Sequence, residues 1–181
     1  MSKIETKINK MLDENNKITN TQGIRMAYDT DNKIYVRGNK MYVGGTTSAV
    51  NWLENFTKLP FGVLGGVRDM ERYIEAERIL KENPQISELV GHSQAGSVVL
   101  TLAKDFPDRN LKTRTYNSPT FSMGFKPNTE QHKRFRKVGD IVSALDGGAV
   151  NVYTDTLNPL QNHDIDAFEG VSETLPAGEY S

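Results

Sequence analysis

The stretch GHSQAG, residues 91–96, decides how the rest of this chain is interpreted. Residues 86–90, ISELV, are predicted to form a short strand before it. After it, apolar residues from Ala95 to Phe106 follow the spacing of a one-sided helix, which Pro107 ends. A serine between such a strand and helix lies on a sharp turn with its hydroxyl exposed, and small residues must flank it. Ser93 is therefore a candidate nucleophile.

Strands and helices are predicted to alternate on both sides of this turn. Short strands are predicted within 24–43, where IYVRGNKMYV indicates a hairpin around Gly38-Asn39, and at 111–117, 134–138 and 149–153. Helices are predicted at 3–14, at 49–56, and at 69–82 with Met70, Tyr73, Ile74 and Leu80 facing inward and Pro84 closing the helix. The alternation predicts an α/β fold with a mostly parallel sheet and helices on both faces. LKTRTYN, 111–117, is polar for a central strand of such a sheet.

Length and composition limit the kinds of protein to consider. The 181 residues indicate a single domain, 1–181, with a loose tail at 169–181. The 22 basic and 23 acidic residues nearly cancel, so no nucleic-acid-binding surface is expected, and the lack of cysteine excludes disulfides and thiol nucleophiles. The charged N-terminus is no signal peptide, and no apolar run is long enough to span a bilayer. We therefore expect a soluble protein, either cytoplasmic or packaged in a larger particle such as a virion.

A serine nucleophile needs a base, and the chain offers three histidines. His92 adjoins Ser93, and neighbouring side chains on such a turn diverge. His132 lies in the charged segment EQHKRFRK and is predicted to be solvated. His163 follows the last predicted strand and leaves room for an acid between itself and Ser93, as the chain order of this kind of site requires. His163 is therefore the predicted base.

The predicted acid is Asp140. It follows a short strand and a glycine, which puts a carboxylate at the carboxyl end of a strand, where α/β sheets carry their site residues. Asp146, in the turn-like LDGG, is the alternative acid, and a role for Asp140 as a turn or helix-capping residue also stays open. The backbone N–H of Gln94, at the start of the helix, faces any oxyanion that forms beside Ser93.

Blocks along the chain resemble the class 3 lipases, the fungal triacylglycerol lipase family of α/β-hydrolases. They stand in the family's order: VGGTTSAVNW (43–52), GHSQAG (91–96), YNSPTFS (116–122), KVGDIVSAL (137–145) and HDIDAF (163–168). The resemblance implies a compact, trimmed α/β-hydrolase fold with Ser93 as nucleophile, Asp140 as acid and His163 as base. It also implies Thr46 and Gln94 as oxyanion donors, and only the resemblance singles out Thr46.

The implied activity is ester hydrolysis through a serine, without a metal or organic cofactor. The expected partner is a lipid ester, including those that a phospholipase A1 or lysophospholipase would cut, or a small soluble ester; transient contact with a membrane or lipid surface would accompany a lipid substrate. Transfer of the acyl group to an alcohol is a related alternative. The alternative from another class is a non-catalytic α/β-hydrolase domain used for binding or as a structural component of a larger assembly.

The chain also departs from the family's pattern. Gly44 stands where the family usually has arginine, and Ala95 stands where the family has glycine. Only residues 141–162 separate the acid from the base. Where the family often has a helical lid, this chain has KLPFGVLGGV, 58–67. We hypothesise that Leu59, Phe61, Val63 and Leu64 form a short apolar flap there; a buried connector packed on the sheet is the alternative.

Overall fold

The computed structural model describes residues 18–46, 66–119, 128–140, 142–143, 146, 148–153, 156 and 158–171. Several predictions lie outside these residues. They are the helices at 3–14 and 49–56, the apolar flap except for residues 66–67, and the tail beyond residue 171.

Six strands, four α-helices and two short 3₁₀ helices make up the described part of the chain. The strands are β1 Ile34–Arg37, β2 Lys40–Val43, β3 Glu88–His92, β4 Lys112–Tyr116, β5 His132–Lys137 and β6 Val150–Val152. The α-helices are α1 Asn20–Tyr28, α2 Glu71–Glu82, α3 Gln94–Asp105 and α4 Pro159–His163, and the 3₁₀ helices are Pro107–Arg109 and Ile165–Phe168. The described helices include none with the length and apolar character to cross a membrane.

The six strands form one sheet in which each strand pairs with the next along the chain. β1 and β2 are antiparallel, as the predicted hairpin requires, and all other neighbours are parallel. This confirms an α/β fold with a mostly parallel sheet. The carboxyl ends of the parallel strands meet at one edge, where Val43 pairs with Gly91 and His92 with Tyr116. That edge carries the site described below.

Each face of the sheet is covered by its own apolar core. When each strand is added on the same side of the previous one, right-handed connections place their helices on one face of the sheet. α2 and α3 lie together on that face. Leu89, Val98 and Leu102 are buried between these helices and the sheet. α1 and the helix Ile165–Phe168 cover the other face. Helices on both faces were predicted from the alternation of elements.

The prediction of strands from residue 24 onward is wrong for residues 24–28, which belong to α1. A capping box starts this helix: the Thr19 hydroxyl accepts a hydrogen bond from the N–H of Gln22 (3.1 Å), and the Gln22 side chain accepts one from the N–H of Thr19 (2.9 Å). Such a box satisfies two N–H groups that a helix start otherwise leaves unpaired. Ile24 and Ala27 then face the core and are fully buried.

The polar composition of β4 follows from the close packing of α3 against it. A Cβ atom on Gly96 would lie 3.3 Å from the Cβ of Thr115 and would collide with the side chain of Ser118. Only short side chains fit under a helix at this distance. Thr113 and Thr115 supply them and are fully buried. The strand therefore lies within the sheet although the side chains that it turns toward α3 are small and polar.

Helix α2 follows the predicted range but not every predicted orientation. Tyr73 and Leu80 are buried, whereas Ile74 is 56% exposed. One residue turns a helix by about 100°, so the residue after Tyr73 leaves the stripe that faces the core. The Tyr73 hydroxyl donates to Asp105 at the end of α3 (2.6 Å), which holds the two helices together.

Candidate active site

Ser93 lies on the turn between β3 and α3, at the carboxyl edge of the sheet. Its backbone has φ 56° and ψ −136°, a conformation that costs free energy in a residue other than glycine. The Ser93 N–H donates to the carbonyl of Tyr116 on β4 (2.9 Å), which fixes the turn to the sheet. A Cβ atom on Gly91 would lie 2.7 Å from the carbonyl oxygen of Ala95, so the turn requires a glycine there.

Ser93, His163 and Asp140 form one hydrogen-bonded chain. The Oγ of Ser93 is 3.0 Å from Nε2 of His163, and Nδ1 of His163 is 2.8 Å from Oδ1 of Asp140. A carboxylate only accepts hydrogen bonds, so Nδ1 carries the ring proton and Nε2 is free to accept the serine proton. All three residues are buried, so the hydroxyl of Ser93 is not exposed as its position on the turn predicted. The structure thus brings together the three residues that the sequence suggested as nucleophile, base and acid.

Asp140 lies in a tight turn after β5 that holds its carboxylate ionised. Oδ2 accepts hydrogen bonds from the N–H of Ser143 (2.8 Å) and from its hydroxyl (2.5 Å). Burial acts to raise the pKa of Asp140, but the hydrogen bonds from His163 and Ser143 outweigh it and keep that pKa below its ordinary value. Asp140 is therefore charged at neutral pH and can stabilise a protonated His163.

Asp146, the alternative acid, has another partner. Its Oδ2 is 3.1 Å from Nε of Arg134, and both side chains are 6% exposed. Its Oδ1 accepts from the N–H of Gly148 (3.2 Å). Asp146 therefore closes its own turn and neutralises a buried arginine, while the carboxylate that reaches His163 is that of Asp140.

Of the two predicted oxyanion donors, Gln94 directly follows Ser93, and the loop that carries Thr46 packs on the same turn. Gln94 is the first residue of α3, and the first N–H groups of a helix have no partner within it. Gly45 packs directly on the turn: a Cβ atom there would lie 2.8 Å from the Cβ of Ser93 and 3.1 Å from the backbone nitrogen of Gln94. The following residue, Thr46, has a buried hydroxyl with no hydrogen-bond partner in the described part of the chain. An unused donor in this position is suited to bind an oxyanion.

His92 points away from Ser93 and connects two parts of the site. Its Nε2–H donates to the carbonyl of His163 (2.8 Å), so its Nδ1 accepts from the hydroxyl of Tyr28 (2.7 Å). The same hydroxyl accepts from the N–H of Gly45 (3.1 Å). Tyr28 and His92 thus join the loop that carries Thr46 to the segment that carries the base. The sequence did not reveal Tyr28, because nothing local marks a contact with a residue 64 positions away.

The protein is expected to become less stable as the pH decreases, because His92 is buried in its neutral form. Burial, helped by the neighbouring His163, lowers the pKa of His92 from 6.5 to about 3. The unfolded chain therefore binds more protons between these values, and stability falls by about 1.4 kcal/mol for each pH unit as pH drops below about 6.5. Urea unfolding from pH 7 to 5 should show this slope, and His92→Gln should flatten it. His132→Gln is the comparison variant: burial lowers the pKa of His132 as well, but this histidine is only half-buried, so its removal should flatten the slope less than His92→Gln does. A wild-type midpoint that does not change with pH would contradict the prediction.

Asn117, at the end of β4, holds the acid and base segments together. Its amide donates to the carbonyl of Asn162 (2.6 Å), next to the base, and its Oδ1 accepts from the N–H of Lys137 (2.8 Å), at the start of the Asp140 turn. Its φ of 48° lies in the left-handed region, which asparagine tolerates better than most residues. Asn117 was not among the residues predicted for the site.

Gly44 allows Tyr28 to lie against the loop that carries Thr46. A Cβ atom on Gly44 would lie 3.2 Å from the Tyr28 ring, so a larger residue there would displace it. Arg72 of α2 donates to the carbonyl of Gly44 and, at 3.5 Å, to that of Gly45. The class 3 lipases usually have an arginine at the position of Gly44. In this chain an arginine from α2 supports the same loop instead.

The prediction that His132 is solvated is wrong. His132 is half-buried on β5 and pairs through Nδ1 with the Thr113 hydroxyl (2.9 Å), away from Ser93.

Among the described residues, no group of three histidine or acidic side chains could hold a metal ion. No protein-family model matches the chain, and no curated protein matches it at a significant level.

Proposed function

We propose that this protein is a serine ester hydrolase with an α/β-hydrolase fold, similar to the class 3 lipases. One observation carries the proposal: Ser93, on a strained turn between strand and helix, is hydrogen-bonded to His163, which is hydrogen-bonded to the buried carboxylate of Asp140. Hydrogen bonds in this order raise the nucleophilicity of a serine. The unused hydroxyl of Thr46 beside the turn supports acyl transfer as the reaction.

In the first half of the reaction, Ser93 Oγ attacks the ester carbonyl as its proton passes to Nε2 of His163. The new C–O bond pushes an electron pair onto the carbonyl oxygen, and the Gln94 N–H and Thr46 bind the resulting oxyanion. Loss of one such donor typically costs about 3 kcal/mol of transition-state stabilisation. The oxyanion then collapses, the ester C–O bond breaks, and protonated His163 gives its proton to the leaving alcohol.

In the second half, water replaces the alcohol. His163 accepts a proton from the water as it attacks the acyl-enzyme, and the tetrahedral adduct collapses with return of the proton to Ser93 Oγ. Asp140 remains ionised in both halves, fixes the proton on Nδ1 and stabilises the imidazolium. The products are a carboxylic acid, the alcohol and free enzyme.

Hydrolysis of p-nitrophenyl esters from acetate to palmitate tests the proposal, together with labelling by a fluorophosphonate. We expect turnover at one or more chain lengths and a phosphonate adduct that mass spectrometry maps to Ser93. The chain-length optimum would separate an esterase from a lipase. A folded protein with neither turnover nor labelling would refute the enzyme proposal and favour a domain used for binding or structure.

Tyr28→Phe is expected to lower kcat about tenfold while changing KM little. The variant leaves the N–H of Gly45 and Nδ1 of His92 without their shared partner, so the donors opposite Ser93 lose their fixed position. Steady-state kinetics on the best p-nitrophenyl ester measures the effect. Tyr73→Phe is the matched control, since it removes a tyrosine hydroxyl bonded to Asp105 outside the site. Equal kinetic losses in both variants would contradict a specific role for Tyr28.

Asn117→Gly is expected to lower kcat about tenfold to a hundredfold. Glycine keeps the positive φ without strain but removes the amide that joins the acid and base segments, so the His163–Asp140 bond loses its support. Asn110→Gly is the matched control, because Asn110 also has a positive φ (46°) and lies in a turn before β4. A drop in thermal stability with kcat unchanged would show that Asn117 serves the fold alone.

A further inference from the structure

A cleft of about 220 Å³ lies beside the turn that carries Ser93. Three segments line it: the loop at Gly44 and Gly45, the start of α2 with Glu71 and Arg72, and the start of α3 at Gln94. Gly45 and Gln94 also flank Ser93. A group bound in this cleft would therefore be near an ester carbonyl attacked by Ser93.

Arg72 is the cationic side chain that lines this cleft, and no carboxylate among the described residues forms an ion pair with it. Four other arginines, Arg25, Arg68, Arg78 and Arg134, pair with carboxylates at 2.5–3.1 Å. Among the described residues, Arg72 contacts only main-chain carbonyls, those of Gly44 and Gly45, and it does so through Nη1. Its Nε and Nη2 donors have no acceptor there.

Burial makes this unpaired charge costly. Loss of solvent lowers the pKa of Arg72, and the nearby Tyr28 and Glu71 only partly offset that effect. Glu71 also lines the cleft but is exposed, so water screens its carboxylate and it repels an incoming anion weakly. A half-buried guanidinium with free donors binds carboxylate and phosphate oxygens well, because its planar fork matches their geometry.

We propose that the substrate is an ester that carries an anionic group, a carboxylate or a phosphate, and that Arg72 binds this group in the cleft. The inference rests on the proposed ester hydrolase function and names its substrate class. Arg72 then has two tasks: Nη1 supports the loop at Gly44, and the remaining donors select the charged ester over a neutral one of the same size.

Two pairs of esters test the proposal and separate the two sources of charge. Mono-p-nitrophenyl glutarate against p-nitrophenyl valerate tests a carboxylate at the end of the acyl chain. A butyryl glycerol phosphate against butyryl glycerol tests a phosphate on the alcohol. We expect wild type to prefer the anionic ester in at least one pair, and Arg72→Gln to reduce that ratio of kcat/KM values tenfold to a hundredfold.

The ratio isolates charge recognition from loop support, because any damage to the Gly44 loop lowers turnover of both esters alike. Arg78→Gln is the matched control: it removes the same charge from an exposed, ion-paired position of α2 and should leave the ratio unchanged. The proposal is overturned if wild type shows no anionic preference in either pair, or if Arg72→Gln lowers both esters of the preferred pair equally. In either case hydrolysis of the neutral esters would still stand.

Absence of ester turnover would count against the proposed function itself. A binding measurement tests the anion site at Arg72 even in that case. Monomethyl glutarate, propyl phosphate and the neutral methyl valerate are titrated into ¹⁵N-labelled Ser93→Ala protein. The Nε–H signal of Arg72, assigned by its loss in the Arg72→Gln variant, is expected to shift with an anionic probe and not with the neutral one. No shift with either anion overturns the proposal.

Discussion

Ser93→Ala is expected to lower kcat for ester hydrolysis by about 10⁵- to 10⁶-fold, the loss typical when a serine nucleophile is removed. His163 would still be positioned by Asp140, and the oxyanion donors would remain, but no atom could form the acyl-enzyme. The residual rate should be what the donors and binding alone provide. Single-turnover and steady-state kinetics on the best p-nitrophenyl ester measure the loss, with the phosphonate probe as a second readout.

Ser97→Ala is the matched control for this loss. Ser97 lies one turn further along α3, and its hydroxyl donates to the carbonyl of Pro119 (3.2 Å) instead of to His163. We expect this variant to keep kcat within about threefold, because a single neutral hydrogen bond contributes only about 1 kcal/mol to stability and this one does not involve the residues bonded to Ser93. Activity retained in Ser93→Ala would rule out Ser93 as the nucleophile.

Asp140→Asn is expected to lower kcat about 10⁴-fold at neutral pH. The asparagine amide can donate to Nδ1 of His163, which moves the ring proton to Nε2. Nε2 then cannot accept the proton of Ser93, although every group keeps its place. The loss should lie in kcat, and a crystal structure of the variant should show the His163 ring unmoved.

Asp146→Asn separates the two acids that the sequence allowed. This change removes the negative charge from the buried pair with Arg134, so we expect about 3 kcal/mol of lost stability. The kcat of the folded variant should stay within about threefold of wild type. The opposite result, with kcat lost in Asp146→Asn and kept in Asp140→Asn, would assign the acid role to Asp146.

The residues of the hydrogen-bonded chain could be predicted because each carries a local signal. Ser93 has glycines around it and a strand and helix on either side, Asp140 follows a strand and a glycine, and His163 comes after the last strand. α1 was missed although its signal is also local: the capping pair Thr19 and Gln22 precedes residues whose apolar pattern resembles that of a strand.

The supporting residues could not be predicted, because their roles depend on contacts between distant parts of the chain. Tyr28 is identified by bonds to Gly45 and His92, and Arg72 by its place beside Gly44. Asn117 left one trace in the sequence, a residue that tolerates positive φ at the end of a strand. No spacing rule relates these residues to Ser93, so only the folded arrangement reveals them.

The way the first and last described helices share one face of the sheet has a consequence for synthesis on the ribosome. Arg25 of α1 pairs with Asp166 and Glu169, more than 140 positions later. Until that later segment emerges, the face carrying Val90, Tyr116 and Phe135 lacks part of its cover. Such a nascent chain would expose apolar surface and invite chaperone binding. His163 also follows all six strands, so Ser93 stays without its base until the whole sheet has been translated.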